Sequence, residues 1–341
     1  MRHLAAVLAA IGLAVAALPQ EAAAGAVLDS IKVRGELNCG VRGDTHGFAR
    51  KDDKGRFFGF EVDICRAVAA AILGNADKVR FFPLDAPRRF PALQNGQVDL
   101  LVSGTTYTMG RALTAGLDFV AVYYYDSQAF LVPRKLGKKS AKDLSGNTVC
   151  VQSATTTAEN AEEYFRNNKM TYSPVSFDKL EDMRTAFFAG RCDALTADRS
   201  AVYAARASHA SNPNDFLVLP ESPSREPLGL IIKQGDTAFR EIVRWSLYAM
   251  VEAEELGVRS TNVDGMLSSE SSRIKRLLGA TPGMGKSLNV DDKWAYNVIK
   301  QVGNYGEVYD RNVGSGSNLR IPRSLNALAT QGGMQYAPPM R

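Results

Sequence analysis

Residues 98–111 read VDLLVSGTTYTMGR. The apolar run Val98–Val102 has the character of a buried strand, and it ends in a turn of hydroxyls, Gly104 and a single arginine, Arg111. A turn of that kind binds small anions, because free backbone N–H groups and short donors point out of the sheet where a strand stops. No histidine, cysteine or carboxylate lies between Ser103 and Arg111, so the stretch is suited to hold a group rather than to transform it. Taken alone it also reads as a polar turn before a helix with a solvated arginine.

Outward from this stretch, short apolar strands alternate with amphipathic helices, which argues for an α/β architecture. GELNCGV (35–41) reads as a strand, and GFEVDICRAVAAAILG (59–74) as a helix with Val62, Cys65, Val68 and Ala69 on one face and Gly74 as its stop. VRFFPL (79–84) is a strand and RRFPALQNG (88–96) a short helix. DFVAVYYYDSQAFLVPR (118–134) is a long apolar and aromatic run broken by Asp126 and Ser127, as expected of a strand passing between two lobes. DLSGNTVCVQSATTTAENAEEYFRNN (143–168) repeats the opening logic of strand, hydroxyl-rich turn and helix, and the two turns can face one another across a cleft. RTAFFAGRCDALTADRSAVYAARA (184–207) gives helix, strand and helix, with Asp198 at the strand's end. EPLGLIIKQGDTAFREIVRWSLYAMVEAEELG (226–257) gives a strand and a long helix, with Trp245 and Leu247 in its apolar portion.

The first residues have Arg2 and His3, an apolar run from Leu4 to Leu18 and an A-x-A pattern at Ala22–Ala24, the form of a secretory signal over 1–24 cleaved after Ala24. The run is shorter than the roughly 20 residues of a membrane-spanning helix, and no later segment reads as a span. No cysteine sits near the cleavage point, so a lipid anchor there is excluded, and a freely diffusing periplasmic protein is expected. Arg2 and Glu21 cancel, leaving the formal charge at +5, interleaved rather than clustered, which argues against nucleic acid as a partner. The length suits two domains. Cys39, Cys65, Cys150 and Cys192 form an even set in an oxidising compartment, consistent with disulfides or with four buried thiols. With histidine only at positions 3, 46 and 209, no zinc-like ligand spacing exists, and no cofactor is implied.

The ordered set GFEVDICRAVAAAILG, ALQNGQVDLLVSGTTYTMGR, DLSGNTVCVQSATTT, AGRCDALTAD and LGLIIKQGDTAFREIV resembles the family 3 extracellular solute-binding proteins of polar amino-acid uptake systems. The tail segments KWAYNVIKQVGNYGEVYDRNVG (293–314) and LNALATQGGMQYAPP (325–339) resemble the long members serving general, or glutamate, glutamine, aspartate and asparagine, uptake. The resemblance implies a two-lobed α/β fold of the type II periplasmic binding-protein kind, hinged on two crossover strands near Asp126 and Pro227. Lobe 1 would comprise 25–126 and 227–341, with an extension over 283–341, and lobe 2 would comprise 127–226. Hinge closure over a ligand is a known mode of such proteins, and the closed form would be read by the permease of an ABC transporter, with the binding protein a monomer. Cys39 on the first strand would pair with Cys65 on the helix over it, and Cys150 with Cys192 in the second lobe's sheet. A bridge between lobes would lock the hinge.

Residue by residue, Arg111 matches the arginine that forks a ligand's α-carboxylate, and Thr156, with Thr155 beside it, matches the hydroxyl and backbone N–H aimed at the same group. Asp198 matches the acid that receives the ammonium, and Ser103, Gly104 and Thr106 fall where a backbone carbonyl and a hydroxyl assist it. Alone, Arg111 reads as a surface arginine and Asp198 as the cap of the helix that follows. Arg42, after the first strand, and Arg89 align with arginines that acidic-ligand binders direct at a side-chain carboxylate, although in the pair Arg88–Arg89 both could be solvated. Ala154 stands where the family has glycine, and Gly110 where it often has an acid. Glutamate, aspartate, glutamine and asparagine are the ligands expected.

Other readings have weaker support. ATPGMGKS (280–287) satisfies a loose phosphate-loop pattern, but a basic helix rather than a buried strand precedes it. A same-fold dehydratase-like enzyme would need a further acid or base in the cleft beyond Asp198, so the chain reads as a non-enzyme. A ligand-sensing module for a receptor would keep the same cleft.

Overall fold

The computed structural model describes residues 25–43 and 45–341. The secretory signal expected over 1–24 lies outside the described residues. The strands are β1 (Leu37–Val41), β2 (Arg50–Lys51), β3 (Phe57–Phe58), β4 (Val79–Pro83), β5 (Leu100–Val102), β6 (Leu117–Pro133), β7 (Thr148–Gln152), β8 (Ser173–Phe177), β9 (Ala194–Asp198), β10 (Phe216–Val218) and β11 (Arg225–Lys233). Apart from the β2–β3 pair, they run in the order β4-β1-β5-β11-β6-β9-β7-β8, with β10 on β6.

β6 joins the two lobes. Its residues Leu117–Ser127 pair antiparallel with β11, while Gln128–Leu131 pair with β9 and Leu131–Pro133 with β10. Around the change of partner, Asp126 faces Glu226 and Tyr125 faces Pro227 in the ladder, so the two crossing segments are neighbours. In the first lobe β1 runs parallel to β4 and β5. In the second, β7 runs parallel to β8 and β9. Parallel pairs need crossover connections, and the helices supply them: α1 (Ala26–Arg34) opens the chain, then α2 (Phe60–Leu73), α3 (Ala86–Gln94) and α4 (Met109–Ala112) in the first lobe, α5 (Thr156–Asn167), α6 (Leu180–Phe188) and α7 (Arg199–His209) in the second, and α8 (Thr237–Glu255) after β11.

The inner strands are covered on two faces, which is why β1, β5, β9 and β11 are apolar runs rather than alternating ones. Over the first lobe's sheet, Val62, Cys65 and Val68 of α2 and Ile242, Val243, Leu247 and Met250 of α8 form one core with β1 and β5, while Leu93 and Ala92 of α3 pack the other face against Leu101, Phe119 and Ile231. α2 stops at Gly74, whose φ of 67° lets its N–H return to the Ala70 carbonyl. The tail adds a layer: helices Trp294–Gln301 and Tyr305–Asn312 bury Trp294, Val298, Ile299, Tyr305, Val308 and Tyr309 against α2 and α8. Arg311 and Asn312 donate to the buried Asp63 of α2. Asn326 brackets Tyr125 on β6, accepting from its N–H at 2.7 Å and donating to its carbonyl at 3.0 Å.

Cys39 of β1 is bonded to Cys65 of α2, and Cys150 of β7 to Cys192. Cys192 lies two residues before β9 rather than on a strand. The segment 280–287 runs from the end of helix Ser272–Leu277 into a short helix, Met284–Ser287, so it lacks the strand that a phosphate loop follows. Among the described residues no helix is long and apolar enough to cross a membrane.

Candidate functional site

A cavity of about 150 Å³ lies between the lobes. Its walls come from the carboxyl ends of parallel strands: Arg42 follows β1, Ser103, Gly104 and Thr106 follow β5, Thr155 and Thr156 follow β7, and Asp198 ends β9, with Arg89 of α3 and Arg111 of α4 closing the first lobe's side. Ligands of open α/β sheets bind at this end of the strands. Every residue to which the resemblance gives a ligand role thus lines one cavity, although their hydrogen bonds divide them.

Arg42 is committed to the protein. Its Nε donates to Glu61 at 3.0 Å, its second terminal nitrogen lies 2.8 Å from the same carboxylate, and its guanidinium lies over the Phe48 ring. Burial works against this charge, but Glu61, Tyr123 and Asp198 outweigh it and hold the proton more firmly than usual. Gly104, at φ 50°, passes so close to that guanidinium that a Cβ would sit 2.4 Å from Arg42 Cζ, so a side chain there would be strained and would displace Arg42 from its place on Glu61. The Gly104 N–H donates to Tyr123 Oη, which donates to Glu61, so the carbonyl of Gly104 is its remaining polar group.

Arg89 and Arg111 differ from Arg42. Among the described residues neither enters an ion pair. Arg89 is 5 % exposed and its Nε has no hydrogen-bond partner. Burial and the neighbouring Arg111 and Arg42 charges loosen its proton to about 9, so it is charged at neutral pH. Arg111 donates to the Thr106 carbonyl at 3.0 Å, and burial lowers its proton affinity too. Both guanidinia stand over the ring of Phe90, at 5.1 and 5.8 Å. The adjacent Arg88 turns outward to Asp85 at 2.7 Å.

On the second lobe, Thr155 is spent as the cap of α5: its hydroxyl accepts from Ala158 N–H and donates to the Gln152 carbonyl. Thr156 is the first residue of that helix, where backbone N–H groups have no intrahelical acceptor, and its hydroxyl donates to Glu226 at 2.8 Å. The preceding Ala154 holds φ 55°, in the left-handed region that a glycine occupies without strain.

Asp198 occupies the cap position of α7 without capping it. Asp126 takes that task, accepting from Ser200 N–H at 3.3 Å. The freed Asp198 carboxylate lies 3.6 Å from Arg42 and faces the cavity. Burial, then the nearby Asp126 and Glu226 charges, raise its pKa well above the usual carboxylate range, against the pull of Arg42 and Arg89. Burial raises Asp126 to about 6.

Sequence reasoning missed Glu61, Tyr123, Glu226 and Asn160. The signal for the two acids was there: Glu61 interrupts the apolar face of FEVDIC, and Glu226 heads the buried strand EPLGLII, and a charge in such a place needs a partner.

The chain matches the family described as bacterial extracellular solute-binding proteins, family 3, over residues 37–260. It is 46 % identical over 335 residues to the general L-amino acid-binding periplasmic protein AapJ of Rhizobium johnstonii, covering 98 % of each chain. It is 45 % identical over 329 residues to the glutamate/glutamine/aspartate/asparagine-binding protein BztA of Rhodobacter capsulatus, covering 96 % of this chain and 97 % of that one. A solved periplasmic binding protein of an ABC transporter from Brucella ovis, with glutathione bound, superposes with a TM-score of 0.90 at 48 % identity, over 92 % of this chain and 99 % of that one. With two lobes, a cavity at the strand ends between them and a match running through both, the chain belongs to the bacterial extracellular solute-binding proteins of family 3.

Proposed function

We propose that this protein is exported through residues 1–24 to the periplasm, where, as a monomer, it captures free L-amino acids and delivers them to the permease of an ABC transporter. Lobe 1 (25–126 and 227–341) and lobe 2 (127–226) close about the paired crossing segments, with the ligand in the cavity. The single observation that carries the reading is the pair of guanidinia without ion-pair partners, Arg89 and Arg111, facing a cavity whose opposite wall presents Asp198. Arg111, with the Thr156 N–H at the start of α5, takes the α-carboxylate. Asp198 and the Gly104 carbonyl take the ammonium. Arg89 takes a second carboxylate.

That arrangement favours glutamate and aspartate, then their amides, because a neutral side chain leaves Arg89 buried without a counter-charge. Lysine and arginine would set like charges against it. BztA is named for this ligand class, whereas AapJ is named for L-amino acids in general. The cavity is smaller than the roughly 300–1,000 Å³ of pockets for drug-sized ligands, as suits a single amino acid. Glutathione also has two carboxylates and one ammonium, and the Brucella ovis protein makes it the second compound to test. We read the chain as a binder and not an enzyme: the relatives are named as binding proteins, and the further acids lining the cavity are engaged by the protein, Asp85 by Arg88 and Glu181 by Arg184 and His209.

The test is a thermal-shift screen of the twenty amino acids, dicarboxylates and glutathione, since a ligand of the native state raises its apparent stability. Glutamate and aspartate should give the largest shifts. Preferential binding of lysine, arginine or leucine would overturn the specificity, and no shift with any amino acid would overturn the function.

A further inference from the structure

Glu226 is the feature that amino-acid capture leaves unexplained. It stands where β11 crosses between the lobes, it is 0 % exposed, and no ion pair among the described residues includes it. Its carboxylate is met by neutral donors instead: Thr106 from the loop after β5, Ser224 from the crossing segment, and from α5 both Thr156 Oγ1 and Asn160 Nδ2 at 2.8 Å. Thr156 and Asn160 are one helical turn apart, so they approach from the same face of α5. The Thr106 and Thr156 hydroxyls lie 3.1 Å from each other, one from each lobe.

A buried carboxylate satisfied in this way is stable only while all its donors stay in place. Those donors belong to both lobes, so the arrangement is complete only when the cleft is shut. We infer that Glu226 is a positioning residue, an interlobe latch that ties the Thr106 loop to α5 and holds the closed cleft over its ligand. It touches no ligand group itself, and it acts through Thr106 and Thr156, which line the cavity. Its charge also bears on both ends of the site, since it favours the charged form of Arg111 and disfavours that of Asp198. An ammonium beside Asp198 relieves the second effect, so the latch closes more readily on an amino acid than on an empty cavity. The inference rests on the cavity being an amino-acid site.

The experiment uses the mature protein and its Glu226→Ala and Asn160→Ala variants, the second altering a residue that does not line the cavity. Calorimetric titration with glutamate, small-angle scattering with and without saturating glutamate, and melting curves of the ligand-free proteins are recorded. Each variant should bind glutamate at least tenfold more weakly and contract less at saturation, while the ligand-free melting temperature of Asn160→Ala stays within a few degrees of wild type. The double variant should be little weaker than Glu226→Ala alone, as coupled partners require. A residue serving stability alone would lower the melting temperature and leave the contraction intact, which would overturn the latch. Both variants binding within threefold of wild type would overturn it as well. If Glu226→Ala does not fold, Asn160→Ala decides alone. Wild type binding no amino acid would remove the functional reading and the latch together, whereas wild-type binding with unaffected variants removes only the latch.

Discussion

Replacing Arg89 by alanine removes a guanidinium that no carboxylate of the described protein shares, so the fold keeps its ion pairs and only a ligand loses a partner. Glutamate affinity should fall by roughly 2–5 kcal/mol, as for truncation of one member of a buried charge pair, glutamine affinity should fall far less, and the ligand-free melting temperature should hold. Arg42→Ala should do the reverse. It strands Glu61 as an unpaired buried charge at a cost of about 3–5 kcal/mol, which calorimetric unfolding of the ligand-free protein would show. Ala154→Gly tests the backbone: the left-handed region costs an L-residue roughly 1–2 kcal/mol, glycine gives back about 0.4–1 through its freer unfolded chain, and the variant should be as stable as wild type or up to about 1.6 kcal/mol more so. A clear loss of stability in its melting curve would contradict that account. Arg111 and Asp198 were legible as candidates only through the family resemblance, since the local pattern alone reads them as a surface arginine and a helix cap. The division of Arg88 from Arg89 was not, because α3 begins at Ala86 rather than at Arg88, and its rotation sends one arginine to Asp85 and the other inward.

At the level of elements, the junction of β6, β9 and α7 gathers acids whose protons are held more tightly than usual, Asp126 at about 6 and Asp198 well above its usual range. Both bind protons more strongly in the folded chain than in the unfolded one, where aspartate titrates near ~3.9. Their contribution to ligand-free stability is therefore fully present below that value and lost as pH rises through about 6 and beyond. Ligand affinity should run the other way, because an ammonium needs Asp198 ionised. Titrations with glutamate from about pH 8 down to about pH 5 should show steadily weaker binding, and constant affinity over that range would refute the assignment of Asp198. The strands β1, β4, β5, β7, β9 and β11 were readable as apolar runs bounded by turn residues. β8 was not, since SPVSF has proline at its second position and is half-exposed. It can be a strand because it lies at the sheet's edge, where a missing N–H costs little. Asn160 was illegible for a different reason, and Glu226 was marked only as a buried charge in need of a partner: the contacts they make exist only where two lobes meet.

For the molecule as a whole, the tail, which the resemblance makes an extension of the first lobe, packs against α2 and α8. Removing residues 283–341 would uncover α2 and α8 and delete Trp294, Val298, Ile299, Tyr305, Val308 and Tyr309 from the core. At about 1.5–3 kcal/mol for each buried side chain, the loss is comparable with the roughly 5–15 kcal/mol that keeps a domain folded. The truncated chain should lose its cooperative melting transition by circular dichroism, and retention of that transition with wild-type glutamate binding would show the tail to be dispensable. The tail also braces Tyr125 through Asn326, so it fixes the first-lobe side of the crossing strand. The two disulfides add a consequence for biogenesis. The cysteines are joined first to second and third to fourth along the chain, so each thiol meets its proper mate as soon as the next one emerges from the export channel. An oxidant alone can then complete the bridges, and maturation should proceed in cells that lack an enzyme for reshuffling mispaired sulfurs.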